Sequence, residues 1–460
     1  MTLAGAEGHK GSSSGRSPRR PPGPKGVPLL GNLLPWHDPL VAFAEAARNY
    51  GDIVGLNFAG WPAVLVSDPE AIETILVRRH KDFVKNSFFW RHVTAIFGQG
   101  ILTSEGELWQ KQRRSAAPAF AGKQLLSYDA AMSEATGRML NDWRDGQILD
   151  VHPELMGLTL RIAAKTLFDT EVEEEVAAIE EAVDVLVLEV ASRFTRPIYI
   201  PDSIPLPRHI RYTRALRSID RVVSRFISER RSAGTAGRQD FLSRLMAARD
   251  ENGTPMSDKQ LRDEAITLLL AGHETTALAL SWTLYLLGRH KDTEARLAAE
   301  VRQALGDGPP TFEKLQTLKL LESVVLESMR LYPPAWIIGR ESLAPFALGP
   351  YEFKKGTTVF ISPWIIHRDP RRFAEPEAFH PERWMGGLAD DLPRFAYLPF
   401  GGGPRICIGQ RFAMLEAMLI LAAIVRRFSV EWQGTRPPKP LPSITLRPQG
   451  GVRLKLRKRA

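Results

Sequence analysis

A chain of 460 residues, 44% hydrophobic and 25% charged, is long enough to bury a large core and has the balance of an ordinary globular protein. Its net charge of +9 does not point to nucleic acid, because residues 1–25 carry +4 and residues 447–460 carry +6, leaving about −1 for everything between. The single cysteine, Cys407, excludes an internal disulfide and leaves a lone thiol to be explained.

In chain order, residues 1–20 are rich in Gly, Ser, Arg and Pro and poor in apolar side chains, which predicts a disordered basic tail. Pro21-Pro22-Gly23-Pro24 is a stiff lead-in, and order is expected from about Val27. No apolar run reads as a signal or anchor. The longest, Ala413 to Val425, is thirteen residues and contains Glu416, against about 20 for a membrane span. A soluble, cytoplasmic protein is expected. Ile53–Phe58 and Ala63–Val66 flank Gly60-Trp61-Pro62 as a hairpin, and Ser67-Asp68-Pro69-Glu70 starts a helix reaching Leu76. From Leu125 to Arg302 the periodicity is mostly helical, with breaks near Pro197–Pro207 and Gly234–Gly237. Leu261–Gly288 is a long apolar helix suited to the protein centre. A helix is predicted over Phe312–Leu331, ending at Pro333-Pro334, then strands and loops through Pro404 and a last helix over Gly409–Arg427. The fold class is mainly α with small β-sheets.

The cysteine lies in Phe400-Gly401-Gly402-Gly403-Pro404-Arg405-Ile406-Cys407-Ile408-Gly409, directly before an apolar helix. A helix N-terminus lowers a thiol pKa, and the glycines let backbone approach a flat cofactor with N–H groups free to bond sulfur. Such a cysteine alone is either a structural thiol or a metal ligand. In the central helix, Ala271-Gly272-His273-Glu274-Thr275-Thr276 places an acid beside an alcohol, a pair that can pass protons to dioxygen. The Thr275 hydroxyl can bond back to the carbonyl of Ala271 and bend the helix. Glu327 and Arg330 stand at i and i+3 on one helix face, and Phe379-His380-Pro381-Glu382-Arg383-Trp384 offers a second arginine, Arg383.

These four segments, in this order and spacing, resemble the cytochrome P450 family of haem-thiolate monooxygenases, and the resemblance runs from about Pro21 to Leu456. It implies a single cytochrome P450 haem domain over 21–460 with no fused reductase, its haem buried between the central helix and the cysteine loop. It further implies haem b ligated by Cys407, with molecular oxygen as co-substrate and thiolate ligation favouring O–O cleavage. The pair Thr275 and Glu274 would be the oxygen-activating alcohol and acid. Glu327, Arg330 and Arg383 would form a structural triad. Trp109, Arg113, Arg340 and Arg405 resemble clamps on the haem propionates, with Ala271, Phe400 and Gly409 close to the macrocycle. His273 falls at a variable position of the family and reads as a solvent- or core-satisfied histidine, and His367 as a turn cap.

The Ala-Gly-His-Glu-Thr-Thr motif and the Leu331-Tyr332-Pro333-Pro334 bend look most like the family's fatty-acid hydroxylase-like branch. By the same resemblance, Phe88, Phe89, Trp90, Phe97, Leu268, Trp336, Ile337, Ile338, Ile444 and Thr445 would build the substrate pocket, with Arg91 and Arg447 as candidate partners for a substrate carboxylate. A mostly apolar set implies a hydrophobic substrate, whether terpene, fatty acid, steroid or aromatic compound, to be hydroxylated or epoxidised. Electrons would come from a separate ferredoxin or flavodoxin with its NAD(P)H reductase, and a monomer without membrane anchor or nucleic-acid partner is expected. The competing functions are a peroxide-driven peroxygenase and a non-catalytic haem sensor. The intact Glu274-Thr275 pair speaks against both.

Overall fold

The computed structural model describes residues 19–32, 38–195, 200–238, 240–249, 253–306 and 308–459, without the side chains of Phe88, Phe89, Phe194 and Thr195. Residues 1–18 of the expected tail, and Pro197 to Tyr199 of the expected break, lie outside the described residues.

The central helix runs from Asp258 to Arg289, about 48 Å at 1.5 Å per residue. Its start is fixed by a capping box in which the Ser257 side chain and Gln260 satisfy each other's backbone N–H groups. From Asp263 to Gly288 nearly every side chain is buried, so the helix needs apolar neighbours on all sides rather than one face. Two clusters supply them. One joins Trp282, Leu284 and Leu287 to the cysteine helix, Gln410–Arg427, and to the helix Lys319–Leu331. The other joins Ala265, Leu268 and Leu269 to Val151–Phe168, Val176–Thr195 and Pro207–Ala233.

Sheets are small and peripheral. The largest has five strands in the order Ile53–Phe58, Trp61–Val66, Thr358–Ile361, Ile338–Ser342 and Phe83–Val84. Its first hairpin pairs Phe58 with Trp61, so the turn is Ala59-Gly60, two residues tighter in the second strand than the sequence suggested. Both turn residues have positive φ (51° and 91°), the backbone of a tight hairpin that matches strand twist.

Four expectations need correction. The segment Phe312–Leu331 is two helices, Phe312–Leu315 and Lys319–Leu331, because Glu300 accepts the N–H groups of Leu320 (2.9 Å) and Leu321 (3.0 Å) and so caps a new helix start. The early helix after Pro69 ends at Glu73 and passes into a wider π turn over Thr74–Arg78. Order begins before Val27, since Arg19 bridges to Tyr351 and the Pro22 carbonyl accepts from Gly55 N–H at 2.8 Å. The basic C-terminus is no tail. Arg453–Lys458 is the middle strand of a three-stranded sheet between Ile148–Asp150 and Phe428–Trp432, with Leu454 and Leu456 buried, and Arg459 pairs with Glu294.

Among the described residues, no helix is long and apolar enough to cross a membrane, and no group of three or more His, Cys, Asp or Glu could hold a metal ion.

Candidate functional site

In the buried stretch of the central helix from Asp263 to Gly288, only Ala271, Gly272 and Thr275 keep accessible surface. Accessible surface halfway along a buried helix must line an internal space. The Thr275 hydroxyl donates to the Ala271 carbonyl at 2.9 Å, so its oxygen sits in that opened turn.

The cysteine loop meets this helix through Ile408, which packs against the cluster that holds Leu268, Leu269 and Leu270. The surface of Cys407 is exposed, yet enough protein surrounds it that burial raises the thiol pKa, against the opposing pull of the Gly409 N–H, Arg113 and Lys85. The sequence led us to expect a lowered value from the helix N-terminus; desolvation outweighs that partial charge here. The glycines shape the loop tightly. A side chain at Gly403, whose φ is +67°, would put Cβ 1.9 Å from the Leu76 carbonyl oxygen, and one at Gly402 would meet the Phe395 ring at 2.1 Å. Cys407 N–H closes the loop by donating to the Phe400 carbonyl at 3.0 Å.

Beside the loop is a knot of cations. Arg405 lies over the Trp109 ring at 4.2 Å, donates to the Ser104 carbonyl at 2.6 Å and pairs with Glu105. Arg340 is buried on its strand; burial and then Arg405 lower its pKa to about 10. Lys85, which sequence reasoning missed, donates to the Leu102 carbonyl at 2.7 Å, and burial followed by Arg340 and Arg405 lowers its pKa strongly. Three basic side chains, Arg340 buried and Lys85 and Arg405 half-buried, share one carboxylate, Glu105, so the site carries a positive excess suited to an anionic group. Arg113 points elsewhere, donating to the Ile406 carbonyl at 2.7 Å and so bracing the cysteine loop.

Glu274 is buried and held by a late hairpin, Lys439–Pro442 paired with Leu446–Gln449. It accepts from Arg447 Nε at 2.7 Å and from the Thr445 hydroxyl at 2.9 Å, and Arg447 continues to Asp184 at 2.5 Å. Burial alone would raise this carboxyl, but Arg447 holds it below the ordinary value. It is therefore an anion at neutral pH, where the sequence suggested an acid. Arg447, spent on two carboxylates, is not free for a substrate. Another carboxyl near the groove was missed altogether: Glu416 on the cysteine helix has both oxygens buried without a hydrogen-bond partner, and burial raises its pKa to about 8 despite nearby Thr276. A charged residue inside the apolar run Ala413–Val425 was the available signal.

The remaining residues fall as follows. Glu327 accepts from Arg330 Nε and Nη2, both at 2.9 Å, and from the Trp384 indole at 2.9 Å, all buried, and from the half-buried Arg383 at 3.1 Å. His367 is the C-cap of the short helix Pro363–Ile366, its N–H donating to the Pro363 carbonyl at 2.9 Å; its buried Nε2 also accepts from Leu398 N–H at 2.9 Å, and burial with Arg330 and Arg368 lowers its pKa to about 3. His273 is fully buried, its Nδ1 3.1 Å from the Leu269 carbonyl. Phe97, Leu268 and Ile444 share one cluster, whereas Trp336 packs with Phe43 and Ile337 in another and Ile338 in a third. Trp336 is thus core, its indole donating to the Ser443 carbonyl at 2.9 Å. Trp90 is anchored similarly to Gly339. The Phe88 and Phe89 side chains lie outside the described residues. Arg91 stays at the surface, bonded to the Asn86 carbonyl.

The loop that carries Ile101 is sewn to the central helix. Asp263 accepts Gln99 N–H at 2.8 Å and Glu264 accepts Ile101 N–H at 3.2 Å. Gly100 passes so close that a Cβ there would lie 2.1 Å from the Thr267 hydroxyl.

Comparison with known proteins completes the picture. The cytochrome P450 family model matches residues 21–456. The chain is a cytochrome P450. Similar relatives include a cyclooctat-9-en-7-ol 5-monooxygenase (35% identical over 95% of this chain and 94% of that one) and a cyclooctatin synthase (34%, 93% and 91%), both from Streptomyces melanosporofaciens. Pentalenene oxygenase of Streptomyces avermitilis is 33% identical over 94% of this chain and 96% of its own. The crystal structure of the cytochrome P450DA heme domain superposes with a TM-score of 0.87 at 28% identity, covering 97% of this chain and 99% of that one. This P450 therefore has the P450 fold and belongs to a family of haem- and oxygen-using monooxygenases, with bacterial terpene-oxidising relatives.

Proposed function

We propose that this P450 inserts one oxygen atom of dioxygen into a hydrophobic terpenoid, by hydroxylation or epoxidation, taking electrons from a ferredoxin or flavodoxin served by an NAD(P)H reductase. The observation that carries the reading is the accessible patch Ala271, Gly272 and Thr275 in an otherwise buried helix, whose Leu268, Leu269 and Leu270 share a cluster with Ile408, the residue after the Cys407 thiol. The residues suit haem b. The single thiol would hold the haem iron, and Lys85, Arg340 and Arg405 would supply charge for its propionates. When bound, the haem supplies the activation of dioxygen.

The protein's own contribution is positioning and proton handling. Arg113, by holding the Ile406 carbonyl, and Gly409, by its N–H, fix the sulfur. Thr275 presents a hydroxyl in the opened turn, and Glu274 beside it takes up and passes on protons as a carboxylate. Phe97, Leu268 and Ile444 give the substrate an apolar wall. The terpenoid assignment rests on that wall together with the cyclooctatin and pentalenene chemistry for which the Streptomyces relatives are named.

The test is the visible spectrum of the reduced protein with carbon monoxide, beside Cys407→His, followed by spin-state titrations with terpenes and fatty acids. A red-shifted Soret band lost in the variant, and a terpene that converts low-spin to high-spin haem, are expected. A normal band with response only to fatty acids sinks the terpenoid assignment, and absence of haem sinks the whole reading.

A further inference from the structure

The near-neutral body of this chain hides a local charge excess. The helix Pro207–Ala233 contains eight arginines against two acids, Asp220 and Glu229. Its inner face buries Tyr212, Ala215, Ile219, Val222, Val223 and Phe226, which fixes the rotation of the helix. Opposite that face, Ile210, Arg214, Arg217 and Arg221 recur at helical spacing and form one exposed row, with exposed Arg211 at its flank. From Ile210 to Arg221 the row is about 16 Å long.

Both acids of the helix are already engaged, Asp220 with Arg262 at 2.5 Å and Glu229 with Arg225 at 3.4 Å. Arg211, Arg214, Arg217 and Arg221 pair with no acid among the described residues. Like charges three and four residues apart repel and weaken a helix, so the row carries a cost that folding does not offset. The row itself begins with Ile210, 46% exposed; Ile204, six residues before it, is 44% exposed, and Leu188 on the helix Val176–Thr195 that packs against this one is 51% exposed.

We propose that this face is a docking surface for an anionic phospholipid bilayer. Guanidinium groups bind phosphate bidentately, and a basic row flanked by exposed apolar side chains combines the two forces that hold a protein on a lipid surface, attraction and shallow insertion. A nucleic acid would use the charge and leave Leu188, Ile204 and Ile210 in water. Docking is peripheral, since no described helix is long and apolar enough to span a bilayer. It brings the protein to the phase in which apolar substrates dissolve.

The experiment is co-sedimentation of the full-length, haem-loaded chain with vesicles of phosphatidylcholine alone or of phosphatidylcholine and phosphatidylglycerol in equal parts. Binding to the anionic vesicles only, weakened by added salt, is expected. Each arginine near such a surface contributes roughly fivefold, so the variant Arg214→Glu, Arg217→Glu, Arg221→Glu is expected to bind at least about 100-fold more weakly. Its carbon-monoxide spectrum, unchanged, reports that the fold is intact; if reversal disturbs it, the three Gln substitutions replace it with the same expectation of weakened binding. Failure of the parent protein to bind anionic vesicles, equal binding to neutral ones, or full binding by a folded variant overturns the proposal.

Discussion

Arg447 donates to the Glu274 carboxylate at 2.7 Å although 173 residues separate them, and this pair sets the ionisation of the groove beside Thr275. The late hairpin that contributes Ile444 to the apolar wall thereby also fixes the charge state of the acid–alcohol pair. Glu274 has its pKa lowered in the folded state, so the pair stabilises the protein above the unfolded carboxyl value and stops doing so as pH falls through the folded one. Replacing Arg447 by Gln strands a buried carboxylate and is expected to cost about 3–5 kcal/mol at neutral pH. The deficit should shrink in acid, because without Arg447 burial favours the protonated carboxyl. Thermal unfolding of both proteins at the two pH values reads this; an equal deficit at both would mean that Glu274 is not ionised.

Thr275→Ala removes the hydroxyl held at the Ala271 carbonyl without touching the cysteine loop. Haem content and the substrate-induced spin shift should remain. Product formed per reducing equivalent should fall by roughly 10²-fold, the size of a lost proton-transfer contribution, with hydrogen peroxide rising in its place. Tight coupling in this variant would remove Thr275 from the proton path.

Glu327→Ala leaves Arg330 buried with no carboxylate and strands the Trp384 indole, so it is expected to destabilise the protein by about 3–5 kcal/mol and to lower haem incorporation. Arg383→Ala should be milder, because the Arg330 pair survives. Purified haem-to-protein ratio and denaturant midpoint measure both, and a fully loaded Glu327→Ala at normal midpoint would deny the triad its structural role.

Local chemistry was legible in the sequence. The decapeptide around Cys407 needs its glycines for contacts with Leu76 and Phe395, and the Glu327–Arg330 spacing places its two partners on one helix turn. What pairs across long separations was not legible. Lys85 lies 320 residues before Arg405, and nothing near it in sequence announces that it joins the cation knot. The C-terminal basic run read as a tail because charge dominates its composition, but Leu454 and Leu456 alternate with those charges and bury one face of a strand. Summed charge concealed the arginine row of Pro207–Ala233 for a related reason, since acids elsewhere cancel it without touching it.

Lys85→Met tests the cation knot. The substitution keeps the length of the side chain and removes one of three clustered basic groups, so the apoprotein loses self-repulsion and is expected to be as stable as the parent or more so. The haem-loaded form loses a partner for a propionate and should release haem several-fold faster, by about 1 kcal/mol of lost charge-assisted bonding. Transfer of haem to an acceptor protein follows the rate. Unchanged release would place Lys85 outside the haem site.

Glu416 gives the opposite pH sign from Glu274. Its pKa is raised to about 8 by burial, against about 4.5 for the free carboxyl. Between those values the folded protein keeps a proton that the unfolded chain gives up, so stability falls as pH rises from about 4.5 to 8, by up to roughly 4 kcal/mol. Glu416→Gln keeps the shape and cannot ionise. It should therefore match the parent near pH 4.5 and exceed it increasingly towards pH 8, which thermal unfolding across that range will show. A parallel offset at every pH would mean that the carboxyl is not held protonated. Glu416 reaches the central helix at Thr276, the residue after Thr275, so a protonated carboxyl there contrasts with Glu274, which Arg447 keeps as the anion.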